Sequence, residues 1–198
     1  MKLLIATNNQ HKAEEIKAIL APFFSGILTL RDAGIEADVA EDGATFEENA
    51  AIKAHAILAL SHADAVLADD SGLMVDALFG APGVYSARFA GAGHDDAANN
   101  AKLMEVMRDV PPAQRACRFV TAVCLSRRGQ PDVCAWGEVE GELLNTPQGD
   151  NGFGYDPLFY YAPFYKTFAQ LTAQEKNAVS HRKRALAALC EKLKESGA

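Results

Sequence analysis

The feature that most constrains the fold is a short apolar run that ends in two adjacent carboxylates. Val66-Leu67-Ala68 leads directly into Asp69-Asp70-Ser71-Gly72-Leu73. The apolar residues predict a buried strand, and unpaired acids are expensive to bury. We therefore predict a turn on Asp-Asp-Ser-Gly at the edge of a sheet, where ligands bind in α/β folds; an ordinary turn is the alternative. Because successive strand side chains point to opposite faces, one aspartate can face a cleft while the other is structural.

Composition limits the class of protein. The chain has 198 residues, enough for one domain with a core of its own. Hydrophobic residues make up 49%, which excludes a disordered chain. The formal charge of -7 argues against non-specific nucleic-acid binding, which needs a basic face. A small anionic ligand remains compatible with this charge, because a few local cations and a metal ion reverse the local field.

The cysteines and the apolar runs indicate a cellular compartment. The four cysteines, Cys117, Cys124, Cys134 and Cys190, form no C-x-x-C pair, so we expect buried small side chains in a reducing environment. No apolar run reaches membrane-spanning length, and the first one is too short for a signal peptide. We therefore expect a cytoplasmic protein without a membrane partner.

The N-terminal segment predicts a strand, a polar loop and a helix. Lys2–Ala6 is apolar, Thr7–Lys12 is polar, and Ala13, Ile16, Ile19 and Leu20 then recur at helical spacing. The start of such a helix offers N–H groups and a positive dipole end to an anion, and Lys12 adds a charge. The alternative is an Asn-rich helix cap with an exposed lysine. Neither a P-loop nor a dinucleotide fingerprint is present in the sequence.

The next helix follows a short strand and an acidic loop. Ile27–Leu30 predicts the strand, and Thr45 with Glu48 forms a capping box that opens a helix to about Ser61. We expect Glu47, Glu48 and Lys53 to be solvated helix charges. Glu41, just before this helix, could instead reach Asp70, and the residues alone leave that open.

The central part of the chain predicts a mixed sheet. Residues 95–107 have helical spacing, and Pro111-Pro112 ends that helix. Residues 116–127 and 133–144 are strand-like runs around a Gly- and Pro-containing turn, which predicts an antiparallel hairpin. We expect one α/β domain over residues 1–198, which could form two lobes with a cleft between them.

A glycine-rich stretch and a basic helix follow. Among residues 149–159, Phe153 and Tyr155 flank a glycine and could offer a flat face to a base, with Asp156 as an acceptor. The alternative is a turn that buries both aromatic rings. Farther on, Lys176 and Arg182 would point to different faces of one unbroken helix. They could converge only if the helix breaks near Ser180; otherwise they form a solvated basic face.

Six motifs in this order resemble one family along nearly the whole chain. They are Thr7–Lys12, Thr45–Ala50, Ala68–Leu73, Gly83–Arg88, Gly152–Pro157 and Ser180–Arg182. Together they are similar to the inosine/xanthosine triphosphate pyrophosphatases, which remove noncanonical purine nucleotides from the nucleotide pool. The resemblance implies an elongated α/β domain with a long mixed sheet, flanking helices and two lobes around the active cleft. It also implies a homodimer.

The reaction implied by the resemblance is Mg²⁺-dependent hydrolysis of ITP, dITP or XTP to the monophosphate and pyrophosphate. Asp70 is then the catalytic base and a metal ligand, and Glu41 is a second metal contact. The implied substrate-binding residues are Thr7, Asn8, Asn9, Gln10, His11, Lys12, Ser71, Phe153, Gly154, Tyr155, Asp156, Lys176, His181 and Arg182. A non-catalytic nucleotide sensor and a nucleotidyl-transferring enzyme that also releases pyrophosphate are the competing functions.

Overall fold

The computed structural model of the protein describes residues 2–22, 24 and 26–195. The helices are α1 (Gln10–Leu20), α2 (Phe46–Leu60), α3 (Asp96–Val106), α4 (Ala173–Val179) and α5 (His181–Glu195). The strands are β1 (Leu3–Ile5), β2 (Ile27–Thr29), β3 (Ala65–Val75), β4 (Ala116–Arg127), β5 (Val133–Leu143), β6 (Phe159–Tyr161) and β7 (Lys166–Thr167). Helices and strands therefore alternate along the first half of the chain, as the sequence predicts. No helix in the described ranges combines the length and the apolar character needed to cross a membrane.

The strands form one mixed sheet in the order β2-β1-β3-β4-β5-β6-β7. β1 runs parallel to both β2 and β3, with Leu4 opposite Leu28 and Val66. β6 is antiparallel to β5 and to β7. Only residues 128–132 join the neighbouring strands β4 and β5, and a parallel crossover needs a dozen or more residues. This pair is therefore the predicted antiparallel hairpin, and the prediction of an α/β fold with a long mixed sheet is confirmed.

The prediction that a strand stops at the two aspartates is wrong. β3 continues through Asp69 and Asp70 and ends only at Val75. Apolar contacts alone cannot explain this, because buried carboxylates need opposite charges nearby. Lys12 and Arg182 provide these charges to Asp69. The strand thus carries its carboxylates through the sheet instead of placing them in a turn.

The helix boundaries follow local signals that the sequence shows directly. Thr45 and Glu48 form the predicted capping box of α2, and Thr172 with Glu175 does the same for α4. The predicted break near Ser180 is also present. Ser180 has an extended backbone (φ -65°, ψ 155°) and separates α4 from α5.

The described residues fall into two compact units, each with its own core. The first unit comprises Met1–Asp70, Thr121–Gly137 and His181–Ala198, as far as these ranges are described. Its core packs β1 and β3 with α1 and α5, for example through Ile5, Ile16 and Leu186. The second unit comprises Ser71–Val120 and Glu138–Ser180, and its core contains a cluster of three phenylalanine rings, Phe119, Phe159 and Phe168.

Gly137 in β5 lies against the first turns of α5, within the first unit. A Cβ atom at this position would overlap the backbone nitrogen of Ala185 and the backbone oxygen of His181. We therefore expect Gly137→Ala to lower the free energy of unfolding by about 1–3 kcal/mol, the usual cost of overpacking. Urea denaturation measures the change. Gly93→Ala is the matched control, because no atom lies within 4 Å of the added methyl group; equal effects of both substitutions would contradict this packing.

Candidate active site

The two aspartates of β3 bind different groups of the first unit. Asp69 Oδ2 lies 3.2 Å from Lys12 Nζ and 3.5 Å from Arg182 Nε. Asp70 Oδ2 accepts a hydrogen bond from Asn49 Nδ2 in α2 at 2.9 Å. Successive side chains of a strand point to opposite faces, so each carboxylate is directed to a different helix layer. The two carboxylates therefore have different partners, and their different roles stay a prediction.

Asp69 is a buried anion surrounded by cations. Its side chain is fully buried, which by itself would raise its pKa. The charges of Lys12, Arg182 and Lys53 outweigh that effect and hold the pKa of Asp69 well below its usual range. Arg182, also fully buried, pairs in addition with Glu15 of α1. The carboxylate of Asp69 thus stays ionised and fixes the cations around it.

Asp70 has the opposite electrostatic character. Burial raises its pKa above the ordinary value, against the opposing effects of Lys12, Lys53 and the hydrogen bond from Asn49. A carboxylate with a raised pKa holds a proton more strongly and is therefore a better general base. Of the two aspartates, Asp70 is the one whose pKa is raised.

Lys53 and Asn49 are site residues that the sequence analysis missed. The prediction of Lys53 as a solvated charge is wrong, since its side chain is only 13% exposed. Its ammonium lies 2.7 Å from Glu41 Oε1 and donates to the backbone oxygen of Asp69 at 3.0 Å. Burial lowers the pKa of Lys53, but Asp69 and Glu41 more than compensate and raise it. The spacing of four residues between Asn49 and Lys53, which places both on one helix face, is the signal that could have found them.

Glu41 and Asp70 are the carboxylates that could hold a metal ion. Lys53 connects them electrostatically, and Glu41 contributes to the raised pKa of Asp70. Among the described residues, no group of three or more His, Cys, Asp or Glu side chains is arranged to bind a metal. Mg²⁺ is commonly bound through one or two carboxylates together with water and substrate phosphates. The donor set therefore fits Mg²⁺ that binds together with a phosphate-containing ligand.

The loop from Thr7 to Lys12 forms the start of α1, as predicted. Asn9 is the N-cap, and its side chain accepts a hydrogen bond from the backbone N–H of Lys12 at 3.1 Å. Thr7 accepts from the N–H of Asn9, and Asn8 donates to the backbone oxygen of Ala37. The side chains of Asn8, Asn9, Gln10 and His11 are exposed. The positive end of a helix and the Lys12 ammonium are thus both presented by this loop.

In the second unit, a glycine turn brings three predicted binding residues together. Asp156 Oδ2 accepts from the Lys176 ammonium at 2.7 Å and from the backbone N–H of Phe153 at 2.9 Å. The same ammonium lies 4.4 Å from the centre of the Phe153 ring. Gly152 has φ +77°, and a Cβ atom there would overlap the Asp156 carboxylate. The turn therefore depends on glycine to close around Asp156.

The side chain of Tyr155 belongs to the core of this unit. It is 4% exposed, and its hydroxyl donates to the backbone oxygen of Ser86 at 2.8 Å. Burial raises the pKa of this hydroxyl. The backbone of Gly154 is held by Asp96 and Asn100 of α3. Of the two predicted aromatic rings, Phe153 is thus the half-buried one and Tyr155 the buried one.

The remaining predicted residues are Ser71, His181 and Arg182. Ser71 follows Asp70 in β3 and is half-buried. His181 and Arg182 form the first turn of α5 and are both buried. Arg182 thus belongs to the Asp69 cluster, while Lys176 belongs to the Asp156 turn.

Comparison with known proteins identifies the family. The sequence profile of the Ham1 family matches residues 3–192 of the chain. This chain belongs to the Ham1 family. The resemblance inferred from the six motifs is thereby confirmed.

Relatives in the Ham1 family are similar over almost their full length. A protein of Clostridium perfringens named dITP/XTP pyrophosphatase is 47% identical over 98% of this chain and 97% of its own. A protein of Lactiplantibacillus plantarum with the same name is 49% identical over 98% of this chain and 95% of its own. The solved structure of the Staphylococcus aureus Ham1 protein has a TM-score of 0.85 at 38% identity, covering 99% of this chain and all of that one.

Substituting Asp69 tests its role as the counter-ion of the first unit. We expect Asp69→Asn to lower the free energy of unfolding by about 3–5 kcal/mol at neutral pH, since it leaves buried cations uncompensated. The pKa of Asp69 is lower in the folded state than in the unfolded state. The contribution of this carboxylate to stability is therefore complete at pH values above the unfolded pKa, and it is lost as the pH falls through the folded pKa. The free energies of unfolding of wild type and variant, measured by urea denaturation, should therefore converge only at pH values below the ordinary range of an aspartate pKa.

The matched control is Asp32→Asn. Asp32 is exposed and lies 3.9 Å from Lys17, so water solvates both partners of that ion pair. We expect little change in stability from this substitution. An Asp69→Asn variant as stable as the Asp32→Asn variant would show that the buried cluster does not depend on its carboxylate.

Proposed function

We propose that this chain hydrolyses noncanonical purine nucleoside triphosphates, namely ITP, dITP and XTP, to the monophosphate and pyrophosphate. The observation that carries the proposal is the pair of buried aspartates on β3, one with a raised pKa and one that holds Lys12. Membership of the Ham1 family supports it, as do the relatives named dITP/XTP pyrophosphatase. The proposed role of this hydrolysis is to remove such nucleotides from the nucleotide pool.

The proposed reaction is attack of water on the α-phosphorus, since only that attack releases pyrophosphate. Asp70 accepts the proton of the attacking water, and its raised pKa suits this task. Lys12 and the N-terminus of α1 bind the phosphates and stabilise the charge that develops on the leaving pyrophosphate. Asp69 holds Lys12 in place without reacting itself.

We propose Mg²⁺ as the cofactor, held by Asp70 and Glu41. When bound together with the substrate, the ion would neutralise negative charge on the phosphate oxygens. Lys53 keeps Glu41 oriented through its 2.7 Å contact, and Asn49 keeps Asp70 oriented through its hydrogen bond. Both supporting residues come from one face of α2, so this helix fixes the two carboxylates together.

We also propose that Lys176 and the Asp156 turn recognise the base. Inosine and xanthosine carry a carbonyl oxygen at the 6-position, where adenosine carries an amino group. Lys176 has N–H donors and no acceptor, so it can donate a hydrogen bond to the carbonyl oxygen. With adenine, the Lys176 ammonium would face the amino group, which is also a donor. The Phe153 ring beside it offers a face for stacking. The family resemblance implies that His181 and Arg182 of the first unit also bind the substrate.

Incubation with inosine triphosphate and Mg²⁺, without a second substrate, tests the proposed activity. We expect release of inosine monophosphate and pyrophosphate in equal amounts. A nucleotide sensor would bind the triphosphate without turnover, and a nucleotidyl-transferring enzyme would require an acceptor. Omission of Mg²⁺, with a chelator present, should abolish release and tests the cofactor separately.

Asp70→Asn tests the catalytic base. The substitution keeps the volume of the side chain but removes its basicity, so we expect turnover of inosine triphosphate to fall about a hundredfold or more. Thermal melting should show a folded protein. Asp76→Asn, at an exposed carboxylate paired with Arg118, is the control and should retain the wild-type rate. A folded Asp70→Asn variant with a near-normal rate would exclude Asp70 as the base.

Lys176→Ala tests base recognition. A buried donor left unpaired costs about 1–3 kcal/mol, so we expect discrimination between inosine and adenosine triphosphate to narrow about tenfold. The measurement is the ratio of kcat/KM for the two nucleotides. Lys166→Ala, which removes an exposed lysine near Glu175, should leave the ratio unchanged. An equal proportional loss for both nucleotides in Lys176→Ala would assign Lys176 to phosphate binding or to structure.

We further propose a homodimer that acts in the cytoplasm. The support is the resemblance to the family. Light scattering during size-exclusion chromatography measures the mass in solution, and a monomeric mass would contradict the dimer.

A further inference from the structure

Two cysteines of the β4–β5 hairpin lie side by side in the first unit. Cys124 is in β4 and Cys134 is in β5, on either side of the connection at residues 128–132. Both are free thiols, and their sulfur atoms are 2.6 Å apart. Neither residue belongs to the candidate active site, so the proposed function leaves the pair unexplained.

The two thiols differ in their access to solvent. The side chain of Cys124 is fully buried, whereas Cys134 is half-buried. Two residues farther along β5, Trp136 is 37% exposed and packs edge-to-face on Phe46 of α2. Cys134 shares this partly exposed strand face, since residues i and i+2 point the same way. The expectation that all cysteines are buried is therefore wrong for Cys134, which is partly exposed.

The two thiols also differ in reactivity. The hydrogen bond with Cys124 lowers the pKa of Cys134 and, with the charge of Lys192, outweighs burial and the carboxylates of Asp132 and Glu47, which raise it. The same hydrogen bond, together with burial, raises the pKa of Cys124. Burial raises the pKa of Cys117 to about 12 and raises that of Cys190. Cys134 thus has the thiolate character and access of an attacking cysteine, and Cys124 is positioned as its resolving partner.

We propose that Cys124 and Cys134 are a modification site at which a hydroperoxide forms a reversible disulfide. The Cys134 thiolate attacks one peroxide oxygen, which gives a sulfenic acid and, with hydrogen peroxide, one water. The Cys124 thiol then attacks that sulfur, which forms the S–S bond and releases a second water. Two thiols are oxidised and one peroxide is reduced, so electrons and atoms balance. The product closes the hairpin covalently around residues 128–132.

The pair could form a cross-link without large movement of the chain. Strands β4 and β5 are already neighbours in the sheet. The backbone oxygen of Cys134 is held by Lys192 of α5 at 2.7 Å, which fixes the strand on the other side. The disulfide should therefore restrict the hairpin, and amide hydrogen exchange at residues 128–132 should slow in the oxidised protein.

Thiol titration after treatment of the full-length protein with hydrogen peroxide tests the proposal. The reduced chain has four thiols, and we expect the titre under denaturing conditions to halve. The intact mass should fall by that of two hydrogen atoms, and peptide mapping should find Cys124 joined to Cys134. Dithiothreitol should restore all four thiols. An unchanged titre, or a linkage that involves Cys117 or Cys190, would overturn the proposal.

Single variants separate the two roles. Cys190→Ser is the matched control and should lose the same two thiols as the wild type. Cys134→Ser should retain its remaining thiols, because the buried Cys124 lacks its reactive partner. Cys124→Ser should instead accumulate a sulfenic acid at Cys134, detected as a dimedone adduct. If Cys134→Ser is oxidised as readily as wild type, Cys134 is not the attacking thiol. If a variant fails to fold, peptide mapping of the oxidised wild type decides whether Cys124 and Cys134 are joined.

Discussion

The first unit depends on one interaction, the ion cluster around the buried carboxylate of Asp69. This carboxylate lies on a sheet strand, and its partners Lys12 and Arg182 come from α1 and α5. Such a cluster is stable only while every charge is compensated, because an unpaired buried ion is strongly disfavoured. The same ions position Lys12 at the start of α1, so the stability of the unit and the placement of this lysine have a common origin.

Local signals in the sequence predicted most of the elements. The capping boxes at Thr45 and Thr172 mark helix starts because they satisfy N–H groups within a few residues of the chain. The stripe of Ala13, Ile16, Ile19 and Leu20 became the buried face of α1. The hairpin of β4 and β5 followed from two apolar runs around a short turn. In each case the physical cause lies within the segment itself.

The candidate site was less predictable because its determinants are distant in sequence. Whether a strand can pass through Asp69 depends on Lys12 and Arg182, which no local window contains. Lys53 has the pattern of a surface residue on α2, and only the contacts with Glu41 and the Asp69 backbone make it a buried cation. The motif resemblance assigned roles to Asp70 and Asp156, which stay predictions, and it assigned none to Asn49 and Lys53.

The division into two units has a consequence for how the chain can be dissected. The chain passes from one unit to the other within β3, within β4, within β5 and at the break between α4 and α5. Neither unit is therefore a contiguous piece of the sequence, and no terminal truncation can isolate one. Both cores include residues of the C-terminal half, so neither core can be complete before that half has been synthesised.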